Sequence, residues 1–183
     1  PNGSGKSTLI KMILSGEGGI KISPSAKIGY FSQNFEILDE GSTLLETILK
    51  DSPHSETYIR TMLGRLLFRR DDVFKKIEML SGGERVKASV AKLILSDNNL
   101  LIMDEPTNYL DIASIEALEE AMSAFEGSML FATHDRTLID RVATGMLIIE
   151  DKKIIKFGGS FEEYLNYKKR IRKDISSPIA LAF

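Results

Sequence analysis

"LLIMDEPTNYLD", Leu100 to Asp111, carries the reading on which the fold turns. Four apolar residues, Leu100 to Met103, run into two adjacent acids, Asp104 and Glu105, and Pro106 then breaks the pattern. An apolar run of that length, ended by turn residues, reads as a buried strand. Two carboxylates at its end are costly to hold there unless a cation or a reacting group meets them. The stretch therefore implies a sheet whose strand ends face a charged site.

Other short apolar runs share this form. Strands are expected at Gly19–Ile22, Ile28–Phe31, Met129–Ala132 and Met146–Ile149, the last leading through Asp151 and Lys152 into Lys153–Phe157 as a hairpin. Helical periodicity marks Lys6–Leu14, Thr43–Lys50, Glu56–Phe68, Glu84–Leu95 and Ile112–Phe125. In the last, Ile112, Ile115, Leu118, Met122 and Phe125 share one face, a pattern that speaks of packing rather than function. Strands alternating with helices give an α/β fold with a mostly parallel sheet.

The chain has 183 residues, 43% hydrophobic and 27% charged, a globular mixture sufficient for one domain with a core. A formal charge of −2 does not advertise a nucleic-acid partner, and with no cysteine neither a disulfide framework nor a cysteine metal site is available. No apolar run approaches the roughly 18 to 20 residues of a spanning helix, so no direct membrane insertion is expected.

The opening, "PNGSGKSTLIKMIL", fits the end of a phosphate-binding loop, G-x-x-x-x-G-K-[ST], running into an amphipathic helix. The first glycine of that pattern would stand before Pro1, and the chain lacks an initiator methionine, so it is read as a fragment. Gly3 and Gly5 permit a tight turn of inward N–H groups, and the helix start adds partial positive charge. Lys6 can reach the outer phosphates, and Ser7 can place a hydroxyl on magnesium. The candidate nucleotide contacts of this loop are Asn2, Gly3, Ser4, Gly5, Lys6, Ser7 and Thr8.

Ligands of open α/β sheets gather beyond the carboxyl ends of the strands, where Asp104 and Glu105 stand. Magnesium needs only one or two carboxylates besides phosphate oxygens, which suits Asp104. Glu105 is then free to orient or deprotonate a water. "LSGGERVKASVAKLIL", from Leu80, places Ser81, Gly82 and Gly83 at a helix N-terminus, read either as an ordinary capped helix or as a second anion cradle. Two such cradles would be complementary in a two-fold pair, each closing over the nucleotide held by the other subunit's loop.

Taken together, the phosphate loop, Gln33 in "YFSQ", "LSGGE", "LLIMDEP", Leu110–Asp111 and "THD" at Thr133–Asp135 resemble an ATP-binding cassette domain over nearly the whole chain. The resemblance implies a P-loop NTPase fold, here one cassette over 1–183, truncated at its N-terminus. Its core would be about 1–38 and 98–165, with an inserted helical subdomain at about 39–97 and a basic tail at about 166–183. It implies ATP and magnesium as ligands, with Ser7, Gln33 and Asp104 at the metal. Glu105, His134 and Gln33 would be catalytic. Ser81, Gly82, Gly83 and Asp111 would face a second cassette, in the same full-length chain or in a homodimer, that completes the site.

Glu84 after the signature glycines, Asn108 in "EPTNYLD", Arg136 in "THDR" and the closing "FGGSFEEYLNYKKR" resemble the F subfamily of soluble tandem cassettes that act on ribosomes. Only positions 34–79 separate Gln33 from Leu80, which leaves no room for a long inserted arm and makes the chain resemble a second cassette. The expected setting is cytoplasmic, with rRNA or tRNA of the ribosome as partner and antibiotic resistance by ribosomal protection as the flavour of its relatives. The alternative is the ATPase subunit of a transporter. A chromosome-maintenance head would carry a long coiled coil between the cradles, for which positions 7–80 leave no space. "YKKRIRK", Tyr167–Lys173, reads as a solvated helix face before it reads as an RNA contact. His54 is given no role, and "DISSPIALAF" offers no assignment.

Overall fold

The computed structural model describes residues 5–32, 37–150, 153–171 and 179–182. Helix α1 (Lys6–Ser15) leads to β1 (Ile28–Phe31). A helical stretch follows, with α2 (Leu44–Leu49), α3 (Glu56–Arg65), single 3₁₀ turns at Asp72–Phe74 and Ile77–Met79, and α4 (Gly82–Leu95). Then come β2 (Leu100–Asp104), α5 (Ile112–Ser123), β3 (Ser128–Ala132), α6 (Arg136–Val142), β4 (Met146–Glu150), β5 (Lys153–Phe157), α7 (Phe161–Ile171) and β6 (Ile179–Ala182).

The strands form one sheet in the order β1-β2-β3-β6-β4-β5. β1, β2 and β3 pair in parallel, while β6 is antiparallel to both its neighbours, so β4 runs with the first three. β5 returns beside β4 as the expected hairpin. The whole helical stretch from α2 to α4 therefore lies between two strands, β1 and β2, that are neighbours in the sheet.

Strand residues alternate cleanly between two apolar layers, as a sheet covered on both faces requires. Ile102, Ala132, Leu130, Leu147 and Ile149 meet Ile10 and Leu14 of α1 on one face. Leu101, Met103, Phe131, Met146 and Ile148 join the larger core with α4, α5, α6 and α7 on the other. That larger core continues through Leu44, Ile48, Ile59 and Leu63, all fully buried, and so anchors α2 and α3.

Three sequence expectations are corrected. Gly19–Ile22 is not a strand: Gly18 and Gly19 take φ of 68° and 76°, and Ile20 N–H bonds back to Glu17 O at 3.3 Å, which turns the chain. α3 stops at Arg65, short of Phe68. Leu67 takes φ 64° at the C′ position, with Leu67 N–H on Gly64 O and Phe68 N–H on Leu63 O, both 3.0 Å. This stop motif is usually signalled by glycine, and a leucine hides it. α5 ends at Ser123 rather than Phe125, and its first residue, Ile112, is 79% exposed instead of joining the apolar face. α6 and β6 are additions that the periodicity left unassigned. No helix among the described residues is long and apolar enough to cross a membrane.

Candidate functional site

Asp104 ends β2, and Glu105 follows in the left-handed region at φ 53°, its N–H bonded to Ala132 O at 2.8 Å. This turn lifts the Glu105 side chain out of the sheet's alternation and over the end of β3. His134 stands two residues beyond β3, and its backbone N–H donates to Glu105 Oε2 at 3.1 Å. α1 begins beneath both. Gly5 enters it at φ 93°, a conformation open to glycine and strained for other residues, and Lys6 follows as the first helical residue.

Lys6 is 7% exposed, an unusual state for a lysine without a partner. It has two: Nζ donates to Glu105 Oε1 at 2.9 Å and stands 2.9 Å from His134 Nε2. An ammonium carries only donors, so Nε2 is the acceptor of this contact when the amine is charged. His134 Nε2 is also 3.3 Å from Glu105 Oε1, which closes a three-membered cluster drawn from α1 and the turns after β2 and β3. Beside it, Ser7 Oγ donates to Asp104 Oδ2 at 2.7 Å. Thr8 is exposed on the next position of α1.

Ser7 and Asp104 form a hard-oxygen pair of the kind magnesium takes when phosphates supply further ligands. Among the described residues no group of three or more His, Asp or Glu comes together as a metal site. Asn2, Gly3, Ser4 and Gln33 lie outside the described residues.

The candidate second group lies at the N-terminus of α4. Ser81 is its N-cap in a full capping box: Ser81 Oγ accepts from Glu84 N–H at 3.2 Å, and Ser81 N–H donates to Glu84 Oε2 at 2.8 Å. Burial pushes the Glu84 carboxyl up, but the Ser81 bonds and Lys75 outweigh it and hold it below its ordinary value of 4.5. Arg85 is clamped by Glu40, with Nη2 to Oε2 at 2.8 Å and Nη1 on the second oxygen. Gly82 is open on its outer side. Gly83 is not: a Cβ there would sit 3.0 Å from the Tyr109 carbonyl oxygen and 3.7 Å from Leu110 Cδ2.

That carbonyl belongs to the turn after the acids. Tyr109 is left-handed at φ 69°, and Asp111 caps α5, its Oδ1 accepting from Ser114 N–H at 2.8 Å. The Ser114 contacts hold the Asp111 carboxyl below its ordinary value. Lys6, Ser7, Asp104, Glu105 and His134 are thus brought together. Ser81, Gly82, Gly83 and Asp111 form a separate, exposed-to-half-buried group, joined to them by no hydrogen bond or ion pair among the described residues.

Tyr109 is the site-shaping residue that the sequence reading missed; the signal was an Asn-Tyr pair in a proline-led turn. Arg136, a family marker, stacks on Phe161 with its guanidinium carbon 5.0 Å from the ring, tying α6 to α7. In the basic run, Lys168 is buried over the Tyr164 ring at 5.8 Å, and Lys169 and Arg170 are exposed. Arg172 and Lys173 lie outside the described residues.

The family model described as "ABC transporter" matches residues 1–108. The "Probable ATP-binding protein YbiT" of Escherichia coli O157:H7 is 41% identical over 174 residues, covering 91% of this chain and 33% of that protein. The "Energy-dependent translational throttle protein EttA" of Escherichia coli K12 is 38% identical over 180 residues, covering 93% and 32%. Among solved structures, a chain from the complex of archaeal ribosomal stalk protein aP1 and archaeal ribosome recycling factor aABCE1 superposes with a TM-score of 0.72. It is 25% identical, over 98% of this chain and 38% of that one. The chain thus spans about a third of the length of these curated relatives.

Proposed function

Because the chain belongs to the ABC transporter family, we propose that it is the ATP-binding and ATP-hydrolysing cassette of an F-type protein that acts on the ribosome. The observation that carries the ATPase reading is the convergence of Lys6, Ser7, Asp104, Glu105 and His134 at the carboxyl ends of β2 and β3. Lys6 donates to the outer phosphate oxygens of ATP. Ser7 and Asp104 hold magnesium, which when bound supplies charge neutralisation along the phosphates. Glu105 orients the attacking water and takes its proton as the oxygen bonds to the γ-phosphorus and the bond to the bridging oxygen breaks. His134 contacts the transferred phosphate, and Gln33 is assigned to the metal and the water by family position alone.

The open side of Gly82, the Ser81 hydroxyl and Asp111 form the face for a second cassette, whose ATP they would touch. Support for the ribosome comes from the F-type markers and from relatives whose names speak of translation and ribosome recycling. Closure of two cassettes on ATP would then remodel the ribosome-bound protein, and hydrolysis would release it, in the cytoplasm. Protection against an antibiotic is one use of such a cycle, checked by resistance in cells expressing the full-length protein.

The test is the full-length protein with Glu105→Gln, which should bind ATP and hydrolyse it poorly. ATP-dependent co-sedimentation of this variant with ribosomes is the expected result. Hydrolysis by the unaltered protein without ribosome trapping of the variant would turn the reading to a transporter's ATPase subunit, to be sought in membranes.

A further inference from the structure

We propose that Glu105 is also a latch on Lys6: its carboxylate holds the amine that phosphate must take, so that nucleotide binding begins with an exchange of partners. The inference rests on the nucleotide-site reading and adds a step to it. The side chains of Lys6 and Glu105 are 8% and 12% exposed, so each is a mostly desolvated charge whose neutrality depends on the other. Two of the three lysine donors are directed, one to Glu105 Oε1 and one to His134 Nε2, each at 2.9 Å. Glu105 has its second oxygen fixed by the His134 N–H at 3.1 Å, and its backbone is pinned to Ala132 O at 2.8 Å in a left-handed conformation. The acid is therefore preset against the lysine rather than swung toward it by a mobile loop.

A phosphate arriving at Lys6 competes with this carboxylate for the same donor. The exchange has a second product. Once Lys6 leaves, His134 Nε2 loses the donor that made it an acceptor and becomes free to carry the ring proton toward a phosphate oxygen. One move thus releases both Glu105 for water and His134 for phosphate. The site would remain self-neutralised until phosphate draws Lys6 away.

The experiment separates this from the catalytic role by using AMP-PNP, which is not hydrolysed. Calorimetric titration of the full-length protein is compared with Glu105→Gln, and the melting midpoint of each is read without nucleotide. A latch predicts opposite movements. The variant binds AMP-PNP about tenfold more tightly, the change produced by removing one competing charged hydrogen bond. Without nucleotide it melts lower than the unaltered protein.

A merely structural role would weaken both binding and melting. Glu105→Asp keeps the charge but shortens the reach by one methylene, so it too should gain affinity; a gain confined to Glu105→Gln would assign the effect to charge repulsion and overturn the latch. Unchanged or weaker AMP-PNP binding in Glu105→Gln overturns it as well. Absence of binding in the unaltered protein is a different failure, and would bring down the nucleotide-site reading itself.

Discussion

Gly82 and Gly83 are adjacent in sequence and opposite in circumstance, and a pair of alanine substitutions turns that difference into a test of the interface. A Cβ on Gly83 would meet the Tyr109 carbonyl oxygen at 3.0 Å, so the turn must yield by a few tenths of an ångström. Overpacking of that kind costs about 1–3 kcal/mol, against about 1 kcal/mol recovered from helix propensity, leaving Gly83→Ala destabilised by about 0–2 kcal/mol. A Cβ on Gly82 meets nothing within 4 Å. Its φ lies outside the positive range, so Gly82→Ala should stabilise the fold by about 0.4–1 kcal/mol through the unfolded chain.

Stability and activity then diverge. If the N-terminus of α4 faces a nucleotide held by a second cassette, the open space at Gly82 is where that nucleotide comes, and a methyl group there should cut turnover by about a hundredfold. The assay is chemical denaturation beside steady-state ATP hydrolysis of the full-length protein, with one unit of glycine-to-alanine change in each arm. A Gly82→Ala protein that is at least as stable as the parent but nearly inactive has lost something outside its own fold. One that turns over like the parent would refute the reasoning, since nothing would then approach this face during the reaction.

Asp104→Asn leaves a side chain of the same shape opposite Ser7 but removes the charge. The magnesium needed for half-maximal activity should rise about tenfold or more, and the magnesium-dependent part of nucleotide affinity should shrink while the magnesium-free part remains. Equal magnesium titrations for both proteins would take Asp104 out of the metal site. Glu84 makes a pH prediction. Its folded-state value is lowered below 4.5, so the unfolded chain binds more protons in acid. Its stabilisation is present above the ordinary carboxylate range and is lost as pH falls toward the folded value. Glu84→Gln, which can still accept the Ser81 N–H, should show a shallower loss of stability on acidification; an unchanged slope would show that other carboxylates set it.

Where sequence and structure agree, one local signal sufficed. The runs at β1 to β4 are buried on both faces and read as apolar blocks, and α4 announces itself through its apolar periodicity behind a serine at its start. Where they part, the deciding contact was either unmarked or distant. The stop of α3 uses a leucine in a glycine's conformation, and Gly18 and Gly19 turn a segment whose composition suits a strand. β6 gains its place from pairing with β3 and β4, partners far away in sequence. For the candidate site, the sequence singled out Lys6, Ser7, Asp104, Glu105 and His134, and the structure brings these five together. Their mutual arrangement was not legible in the sequence. That Lys6 bonds Glu105, 99 positions away, and His134, 128 positions away, follows from strand order and from the Glu105 backbone twist, which no spacing encodes.

The same twist bears on how the two candidate groups are joined. Residues 104 to 111 hold both the paired acids and Asp111, and two of them, Glu105 and Tyr109, are left-handed without being glycine. Strained non-glycine positions persist where surrounding bonds over-determine them, and here they do. Glu105 N–H is bonded to β3, Asn108 N–H to Glu105 O at 3.3 Å, and Leu110 N–H to Thr107 O at 3.3 Å. The carbonyl of Tyr109 then stops against Gly83. These bonds fix residues 105 to 110 as one tied turn, which ends against the first turn of α4. α4 in turn is fastened to the start of the helical stretch by Arg85 on Glu40. The turn after the paired acids and the start of the helical stretch are thus joined through main-chain contacts and one clamped arginine, with Gly83 the position at which a single methyl group would press on the turn.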